Sequence, residues 1–366
     1  MRSRLQSVQR ALRMNSKSMK TQVLDAKSNP QAGTQLGGRI IRDGGLVVFP
    51  TETVYGLGAN GLSEEAVLRI FEVKGRPQDN PLILHVCRKS DVRELWDTVP
   101  GKAQLLMDVF WPGPLTLVHR KTDLVPDIVT AGLFTVALRM PKNKTARALI
   151  KAAGVPVAAP SANISGRPSP TTAQHVVEDL GGKIPLILDG GPCEVGIEST
   201  VLLLGSPPVL LRPGAVTKEM LEAVIGQIEL HKSLLKPLCE TTQAASPGMK
   251  YTHYAPKAKV IVVKGSPKRM AGRVLELYAM FGASGKTCVI LCSSQSEPFF
   301  KGKEYAILGN RDEPQTLNAN LFSALREYGE KADVLLCEGI SAEGAGLAFM
   351  NRLLRAAGYL CLDADK

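Results

Sequence analysis

The sequence lacks the usual marks of a disulfide-stabilised, zinc-binding or membrane-spanning protein. Its seven cysteines are odd in number and form no CxxC pair, which argues against a disulfide framework or zinc site and favours a reducing compartment. It has no run of about 18 apolar residues, so we predict no transmembrane segment. Aromatic residues make up 5% of the chain and are not interleaved with basic residues, as a stacking platform for nucleic acid requires.

Acidic residues are missing from the N-terminal segment. The first 22 residues contain six Arg or Lys residues and no Asp or Glu, so they carry +6 of the net +11 and leave +5 for the rest. Leu5, Val8 and Leu12 would share one helical face, as in an organelle transit peptide; a disordered basic tail fits the composition equally well. We predict a basic extension over residues 1–30 and a cytoplasmic protein, with mitochondrial or other organelle targeting as an open addition.

The 366 residues predict two α/β domains, because strand-like runs alternate with helical patterns in two separate parts of the chain. Between them lies a Pro-, Ser-, Thr- and Gly-containing stretch without a sustained period, which is typical of a linker or lid. We predict a twisted sheet in the first part of the chain and a small Rossmann-like parallel sheet in the second part. The predicted bounds are 31–228 for the catalytic domain, 229–256 for the linker and 257–366 for the C-terminal domain.

The segment from Gly56 to Gly61 fits the pattern GxGxxG. A dinucleotide fingerprint needs an apolar strand that runs directly into the first glycine. Here the polar segment PTETVY precedes that glycine. We therefore predict no dinucleotide cofactor at this position.

Four polar clusters follow predicted strands or helices and share one chemical character. They combine hydroxyl groups, amides, glycine and cations, which suits a polyanionic ligand. Lys74 offers a point charge, and Arg76 a planar fork, for phosphate oxygens. The sequence has no evident Cys–His or Ser–His–Asp constellation, so the clusters favour phosphoryl or nucleotidyl transfer, usually with Mg²⁺. The clusters are PTETVYG (50–56), KGRPQDNP (74–81), AAPSANISGRPSP (158–170) and the pair EST (198–200) with LRPG (211–214).

Together these clusters resemble the YrdC-type family, the L-threonylcarbamoyladenylate synthases, in its long two-domain form. The resemblance covers about half the chain and implies a YrdC-like catalytic domain that joins ATP, L-threonine and bicarbonate into threonylcarbamoyl-AMP and pyrophosphate. It also implies a threonylcarbamoyl-transferase partner enzyme that modifies adenosine 37 of tRNA, giving N6-threonylcarbamoyladenosine. The matching motifs are FPTETVYGLG (49–58), KGRPQDNPLILHV (74–86), WPGPLT (111–116), ALRMP (137–141), APSANISGRPSPTTA (159–173), GIESTV (196–201), LLRPGAV (210–216) and SPGMKYTHYAPKA (246–258).

The resemblance also implies roles for individual residues. Lys74 and Arg76 are the expected catalytic cations, with Mg²⁺ accompanying ATP and no metal bound by the protein itself. From the residues alone, His85 is either a ligand or base, or a hydrogen-bonded histidine at a strand end. The expected ATP contacts are Lys74, Arg76, Asn80, Thr135, Ser161, Asn163, Ser169, Arg212 and Tyr254. The expected threonine contacts are Thr53, His85, Arg139, Ala159, Ser199 and Thr200.

Two other functions remain open from the sequence. The mildly basic body and the Lys/Arg loops allow an RNA-binding module of the same fold acting in translation, with a contact to tRNA or double-stranded RNA. The same clusters also fit a carbamoyltransferase-like enzyme that uses carbamoyl phosphate. Threonine-dependent conversion of ATP to pyrophosphate without RNA separates the synthase from both.

Overall fold

The computed structural model describes residues 19–234 and 254–366. The expected amphipathic face at Leu5, Val8 and Leu12 and most of the expected linker lie outside these ranges. In the described part of the chain, no helix is long and apolar enough to cross a membrane.

The catalytic part is built on one mixed sheet of eleven strands, in the order β1-β8-β2-β3-β7-β4-β6-β5-β9-β10-β11. The sheet contains parallel pairs, such as β4 with β6, and antiparallel pairs, such as β5 with β6. The strands are β1 Gln22–Asp25, β2 Val47–Phe49, β3 Gly56–Asn60, β4 Ile83–His85, β5 Leu115–Arg120, β6 Thr135–Arg139, β7 Val157–Ala158, β8 Leu186–Asp189, β9 Thr200–Leu203, β10 Val209–Arg212 and β11 Glu229–Leu230.

Local capping explains where the helix that leads into the site begins and ends. Ser63 accepts a hydrogen bond from the Ala66 N–H at its start, and Gly75 ends it with a left-handed φ of 61°. The helices of this part are α1 Pro30–Arg42, α2 Glu64–Lys74, α3 Val92–Leu95, α4 Gly101–Phe110, α5 Asp127–Thr130, α6 Lys144–Ala153, α7 Ala173–Leu180 and α8 Lys218–Ile225, with a 3₁₀ turn at Lys89–Asp91.

The C-terminal part is a five-stranded, wholly parallel sheet in the order β14-β13-β15-β12-β16. The predicted small parallel-sheet domain is therefore confirmed. Its elements are β12 Lys259–Lys264, α9 Pro267–Ala283, β13 Cys288–Ser293, a 3₁₀ turn at Glu297–Phe300, β14 Tyr305–Gly309, α10 Pro314–Lys331, β15 Val334–Glu338, α11 Gly346–Ala356 and β16 Cys361–Asp363.

The structure bears on two local expectations: the bound of the N-terminal extension and the GxGxxG segment. Strand β1 lies inside the predicted N-terminal extension of residues 1–30, yet it pairs with β8 over four residues, so the sheet begins before residue 31. The GxGxxG segment forms strand β3 instead of a phosphate-binding turn. A Cβ on Gly58 would lie 2.8 Å from the Phe49 ring, so this glycine makes room for strand packing. The exclusion of a dinucleotide fingerprint agrees with this geometry.

Helices α10 and α11 dock the C-terminal part onto the catalytic part. One apolar cluster joins Val54 and Ile197 to residues of the C-terminal sheet and helices. Gly196, with φ of 74°, lies so close to α10 that a Cβ would be 2.4 Å from the Ala319 carbonyl oxygen. Arg326 of α10 donates to the Pro168 carbonyl oxygen and to Asp179. The interface therefore combines apolar contact with buried charge.

Candidate active site

The four polar clusters meet at one concave cavity, the usual setting of a small-molecule site. It is lined by segments at the ends of separate sheet strands, by the end of α2 and by Tyr254 of the expected linker. Eleven of the expected site residues lie in its wall: Thr53, Lys74, Arg76, His85, Arg139, Ala159, Ser161, Asn163, Ser199, Arg212 and Tyr254.

Lys74 is the last residue of α2 and points into the interior. Its Nζ donates to the Ser161 carbonyl oxygen at 2.6 Å and also to the Asn163 carbonyl oxygen. Burial, followed by the nearby Arg76 charge, lowers the pKa of Lys74 well below its ordinary value. Lys74 therefore fastens the Ser161–Asn163 segment in addition to facing the cavity.

Arg76 follows the left-handed Gly75. Its guanidinium donates to the backbone carbonyl oxygens of Asn80 and Pro81 at 3.3 and 3.1 Å. These bonds close the KGRPQDNP loop on itself and hold the guanidinium at the cavity wall. Asn80 is 1% exposed, and neither of its side-chain amide atoms has a hydrogen-bond partner. A buried amide in this condition is unusual unless a ligand or water completes it.

The segment after β7 presents Ser161 and Asn163 to the same cavity. The Ser161 hydroxyl donates to Asn163 Oδ1 at 2.5 Å, and Asn163 Nδ2 donates to the Ile164 and Arg167 carbonyl oxygens at 2.8 and 2.9 Å. Internal side-chain bonds thus shape this loop. Arg167, which the sequence did not single out, also lines the cavity and pairs with Asp179 at 2.8 Å.

Arg139 and His85 lie opposite each other at the ends of the parallel strands β6 and β4. Arg139 is 4% exposed and donates to the Thr53 hydroxyl at 2.9 Å, Glu52 Oε1 at 2.6 Å and the Gly113 carbonyl oxygen at 3.3 Å. Burial, reinforced by Arg139, lowers the pKa of His85 to about 3, so its imidazole is neutral near pH 7. Its Nδ1 is buried without a partner.

Glu52 is a residue whose role sequence reasoning missed. Burial by itself would raise the pKa of this carboxyl group, but the Arg139 guanidinium and the Lys142 N–H outweigh it and hold the pKa below its ordinary value. Glu52 therefore orients Arg139 as an ionised partner. Its neighbour Thr51 caps the turn by accepting bonds from the Thr53 and Val54 N–H groups at 3.1 and 3.2 Å.

A second buried carboxylate, Glu198, lies beside Ser199 and Arg212 in the cavity wall. Its Oε1 accepts from the Ser169 hydroxyl at 2.5 Å, and its Oε2 accepts from Arg352 Nε at 2.9 Å. Arg212 donates to the Ser199 carbonyl oxygen at 3.0 Å and its hydroxyl at 3.2 Å. Burial lowers the pKa of Arg212 to about 10, so it remains a cation at neutral pH.

Tyr254 connects the cavity to the C-terminal part. It is 5% exposed, has a left-handed φ of 69° and packs its ring 4.9 Å from that of Phe322 in α10. A non-glycine residue is uncommon in this backbone region. The surrounding packing therefore holds Tyr254 against the site.

Four expected contacts are not in the cavity wall. Ser169 lies behind Glu198 as its hydrogen-bond donor. Thr200 is buried and donates to the Val216 carbonyl oxygen at 2.6 Å. Asn80 lies beside Arg76. Thr135 is the first residue of β6, at the other end of that strand from Arg139. These positions give Ser169 and Thr200 supporting contacts within the wall.

The protein has two α/β domains, each built on its own sheet, and a cavity rich in buried cations and hydroxyl groups. These features define the class: a two-domain, enzyme-like protein with a site for anionic ligands. The protein-family model Sua5_yciO_yrdC, described as "Telomere recombination", matches residues 39–214 of this chain. The model described as "Threonylcarbamoyl-AMP synthase, C-terminal domain" matches residues 216–358.

Individual relatives narrow this class. The threonylcarbamoyl-AMP synthase of Pyrococcus abyssi is 50% identical over 87% of this chain and 92% of its own. That of Bacillus subtilis is 47% identical over 87% and 91%. The crystal structure of P. abyssi Sua5 complexed with L-threonine has a TM-score of 0.85 and 47% identity, and covers 90% of this chain and 95% of its own. The chain belongs to the threonylcarbamoyl-AMP synthase family, whose members are enzymes of the nucleotidyltransferase type. The expected family, enzyme class and fold are thus confirmed.

Proposed function

We propose that this enzyme joins L-threonine, bicarbonate and ATP into threonylcarbamoyl-AMP, with release of pyrophosphate. The observation that carries the proposal is the single cavity into which Arg76, Arg212 and Arg139 all face. Two of these cations come from segments suited to phosphate. The third lies beside a neutral histidine and a threonine hydroxyl, a setting suited to an amino acid. Family membership supports the same reaction.

The nucleotide contacts follow from charge and unsatisfied hydrogen bonds. Arg76 and Arg212 would oppose the phosphate charges, and Ser161 and Asn163, which line the same cavity, are the proposed ATP contacts beside them. The unpartnered amide of Asn80 supports its assignment to ATP as well. An anionic ligand would favour the charged form of Lys74, which its burial now disfavours. We retain Thr135, Ser169 and Tyr254 as proposed ATP contacts.

The threonine contacts centre on Arg139. Its three bonds to Glu52, Thr53 and Gly113 use three of the five guanidinium donors. One N–H on each terminal nitrogen is left for a carboxylate, as a bidentate contact requires. The other proposed threonine contacts are Thr53, His85, Ala159, Ser199 and Thr200. The P. abyssi relative has been crystallised with L-threonine, which supports threonine as the ligand.

The proposed chemistry has two bond-forming steps. The threonine amine takes up bicarbonate-derived CO₂ to give a carbamate, and a carbamate oxygen then attacks the α-phosphorus of ATP. The bond between that phosphorus and the bridging oxygen breaks, and pyrophosphate leaves with the electron pair. Arg76 would stabilise the charge that develops on the leaving group. Tyr254 would help to exclude water from a product that hydrolyses readily.

Mg²⁺ enters this proposal as part of the ATP substrate. Among residues 19–234 and 254–366, no group of three or more His, Cys, Asp or Glu side chains is arranged to hold a metal ion. Glu198, a carboxylate in the wall, is engaged by Arg352 and Ser169. These residues do not fit a protein-held metal centre, so we assign no step to the ion. It would be bound by phosphate oxygens and water.

The test is pyrophosphate release by the purified protein from ATP, with threonine and bicarbonate each omitted in turn and no RNA present. We expect release only when both are present. Release without threonine would favour a carbamoyltransferase-like enzyme. No release by protein that is folded by circular dichroism, together with RNA binding, would favour the RNA-binding module.

The product requires a downstream reaction. A mixed anhydride of a carbamate and AMP is an activated acyl group, so we propose that a transferase partner passes it to adenosine 37 of tRNA. Adding that partner and tRNA should convert the intermediate into N6-threonylcarbamoyladenosine, which mass spectrometry of digested tRNA would detect.

A further inference from the structure

A fully buried arginine of the C-terminal domain reaches into the wall of the catalytic cavity. Arg352 of α11 is 0% exposed. Its Nε donates to Glu198 Oε2 at 2.9 Å, its Nη2 to the Glu198 carbonyl oxygen at 3.3 Å and its Nη1 to Asn351 Oδ1 at 2.9 Å. The two partners are 154 residues apart in sequence. The C-terminal domain thus supplies a cation directly behind a residue that lines the site.

Glu198 is hydrogen-bonded by the Arg352 guanidinium and lines the same cavity wall as Arg212. Burial alone would raise the pKa of Glu198, but Arg352 and then Arg212 outweigh it and hold the pKa below its ordinary value. The three ionised groups carry one net positive charge. Without Arg352, Glu198 and Arg212 would together carry none.

We propose that Arg352 is a positioning residue of the nucleotide site: it neutralises Glu198, so that the charge of Arg212 acts on the anionic ligand. This inference rests on the proposed ATP site. It gives the C-terminal domain a role in substrate binding that needs no contact of its own with the substrate. Arg352 would act through Glu198, which lines the cavity with Arg212 and accepts the Ser169 hydroxyl bond.

A simpler role would be to hold the two domains together. Other residues of α11 anchor that helix to the segment just after the predicted catalytic domain, since Arg355 donates to the Ser233 carbonyl oxygen at 3.3 Å and Asn351 donates to that of Leu234. An interface role alone predicts that Arg352 and Arg355 variants behave alike. A charge-balancing role predicts that a second change at Glu198 restores what the loss of Arg352 removes.

The experiment measures ATP and threonine affinities by isothermal titration calorimetry on the full-length protein. The variants are Arg352→Met, Arg352→Lys, Arg355→Met and the double variant Glu198→Gln/Arg352→Met. We expect Arg352→Met to weaken ATP binding about tenfold, the order for one partly buried unit charge, and threonine binding less than threefold. Arg352→Lys should recover most of the loss. The double variant should bind ATP within about threefold of wild type, because the Glu198 charge that Arg352 offsets is removed as well.

Each outcome decides the inference. Equal ATP affinity in wild type and Arg352→Met would overturn it, as would a double variant that folds and yet binds ATP as weakly as Arg352→Met. An Arg355→Met variant with the same ATP-selective loss would reduce Arg352 to an interface residue. If Arg352→Met does not fold, the double variant and Arg352→Lys are compared with wild type: ATP binding within about threefold supports the inference, and an affinity about tenfold weaker in the double variant overturns it. A wild-type protein that binds no ATP would instead refute the proposed function.

Discussion

Two buried Arg–Glu pairs lie at the same cavity, and they differ in how the chain builds them. Arg139 and Glu52 both come from the catalytic sheet, and both side chains are 4% exposed. Arg352 and Glu198 come from different domains and are 0% and 9% exposed. In the first pair the arginine faces the cavity and the carboxylate lies behind it; in the second the carboxylate faces the cavity. The two Arg–Glu pairs therefore present opposite charges to the ligand: the first an arginine cation, the second a glutamate anion.

This difference teaches what each pair does for the site. A buried pair gives little net stability, but removal of one partner strands a charge. Glu52 orients Arg139 as a ligand-facing cation, whereas Arg352 offsets a carboxylate next to another cation. The predictions below test this contrast, beginning with the largest expected effect.

Breaking the first pair from its cavity side should have the largest effect. Arg139→Met removes the cation proposed to bind the carboxylate of threonine and leaves the buried charge of Glu52 without its arginine partner. We therefore expect threonine-dependent pyrophosphate release to fall by more than about 10²-fold. The free energy of unfolding should fall by about 3–5 kcal/mol. Steady-state kinetics and chemical denaturation would measure these changes.

The matched control is Arg120→Met, because Arg120 is 73% exposed in its pair with Asp97. Surface pairs contribute about 0–1 kcal/mol, so this variant should behave like wild type. Normal threonine affinity in Arg139→Met would contradict the assignment of Arg139.

Arg76 lines the cavity but belongs to neither Arg–Glu pair. Its removal therefore leaves Glu52 and Glu198 with their arginine partners. Arg76→Ala should reduce turnover by about 10²-fold, as for loss of a preorganised charge-stabilising contact, with a small change in unfolding free energy. Pyrophosphate release at a near-normal rate would refute the proposed role. The two variants together separate loss of a ligand contact from loss of charge balance.

The last prediction concerns stability rather than turnover: a pH dependence beside the first pair, with about 1.4 kcal/mol at stake per pH unit. His85 has a folded-state pKa of about 3 and an ordinary value of 6.5, so below pH 6.5 the unfolded state binds a proton that the folded state does not. His85 therefore contributes stability that is lost as pH falls from 6.5 towards 3. Its contribution to the unfolding free energy should decline by about 1.4 kcal/mol per pH unit.

A His85→Asn variant lacks this proton, while Glu52, Glu198 and the other carboxylates titrate in both proteins. Urea denaturation between pH 6 and pH 4 should thus show a shallower decline in the variant. Parallel declines would mean that His85 is protonated in the folded state.

Local patterns predicted much of this fold because its elements are locally specified. The apolar pattern of strand β6 at Thr135–Arg139 and the caps of helix α6 at Lys144–Ala153 are clear in the local sequence. Strand β1 escaped prediction because its four residues, QVLD, show no buried alternation. Its place is fixed by pairing with β8, some 160 residues later in the chain.

The site was predictable as a set of strand-end clusters but not as a network. Lys74, Arg76 and Ser161 were evident because cations and hydroxyls beside glycine and proline form a recognisable local pattern. Glu52 and Glu198 carried no such signal, because their roles depend on arginines 87 and 154 residues away. The sequence motifs that contain them, PTETVYG and EST, mark the positions without indicating the partner.

The interdomain pair also sets an order of events during synthesis. Glu198 leaves the ribosome 154 residues before Arg352, which at about 5–20 residues per second corresponds to roughly 8–30 s. We expect the catalytic sheet to fold during this interval with Glu198 opposed by Arg212 alone. A nascent chain would then acquire its full affinity for nucleotide only when the second domain has been made, so that translation itself times the activation of the enzyme.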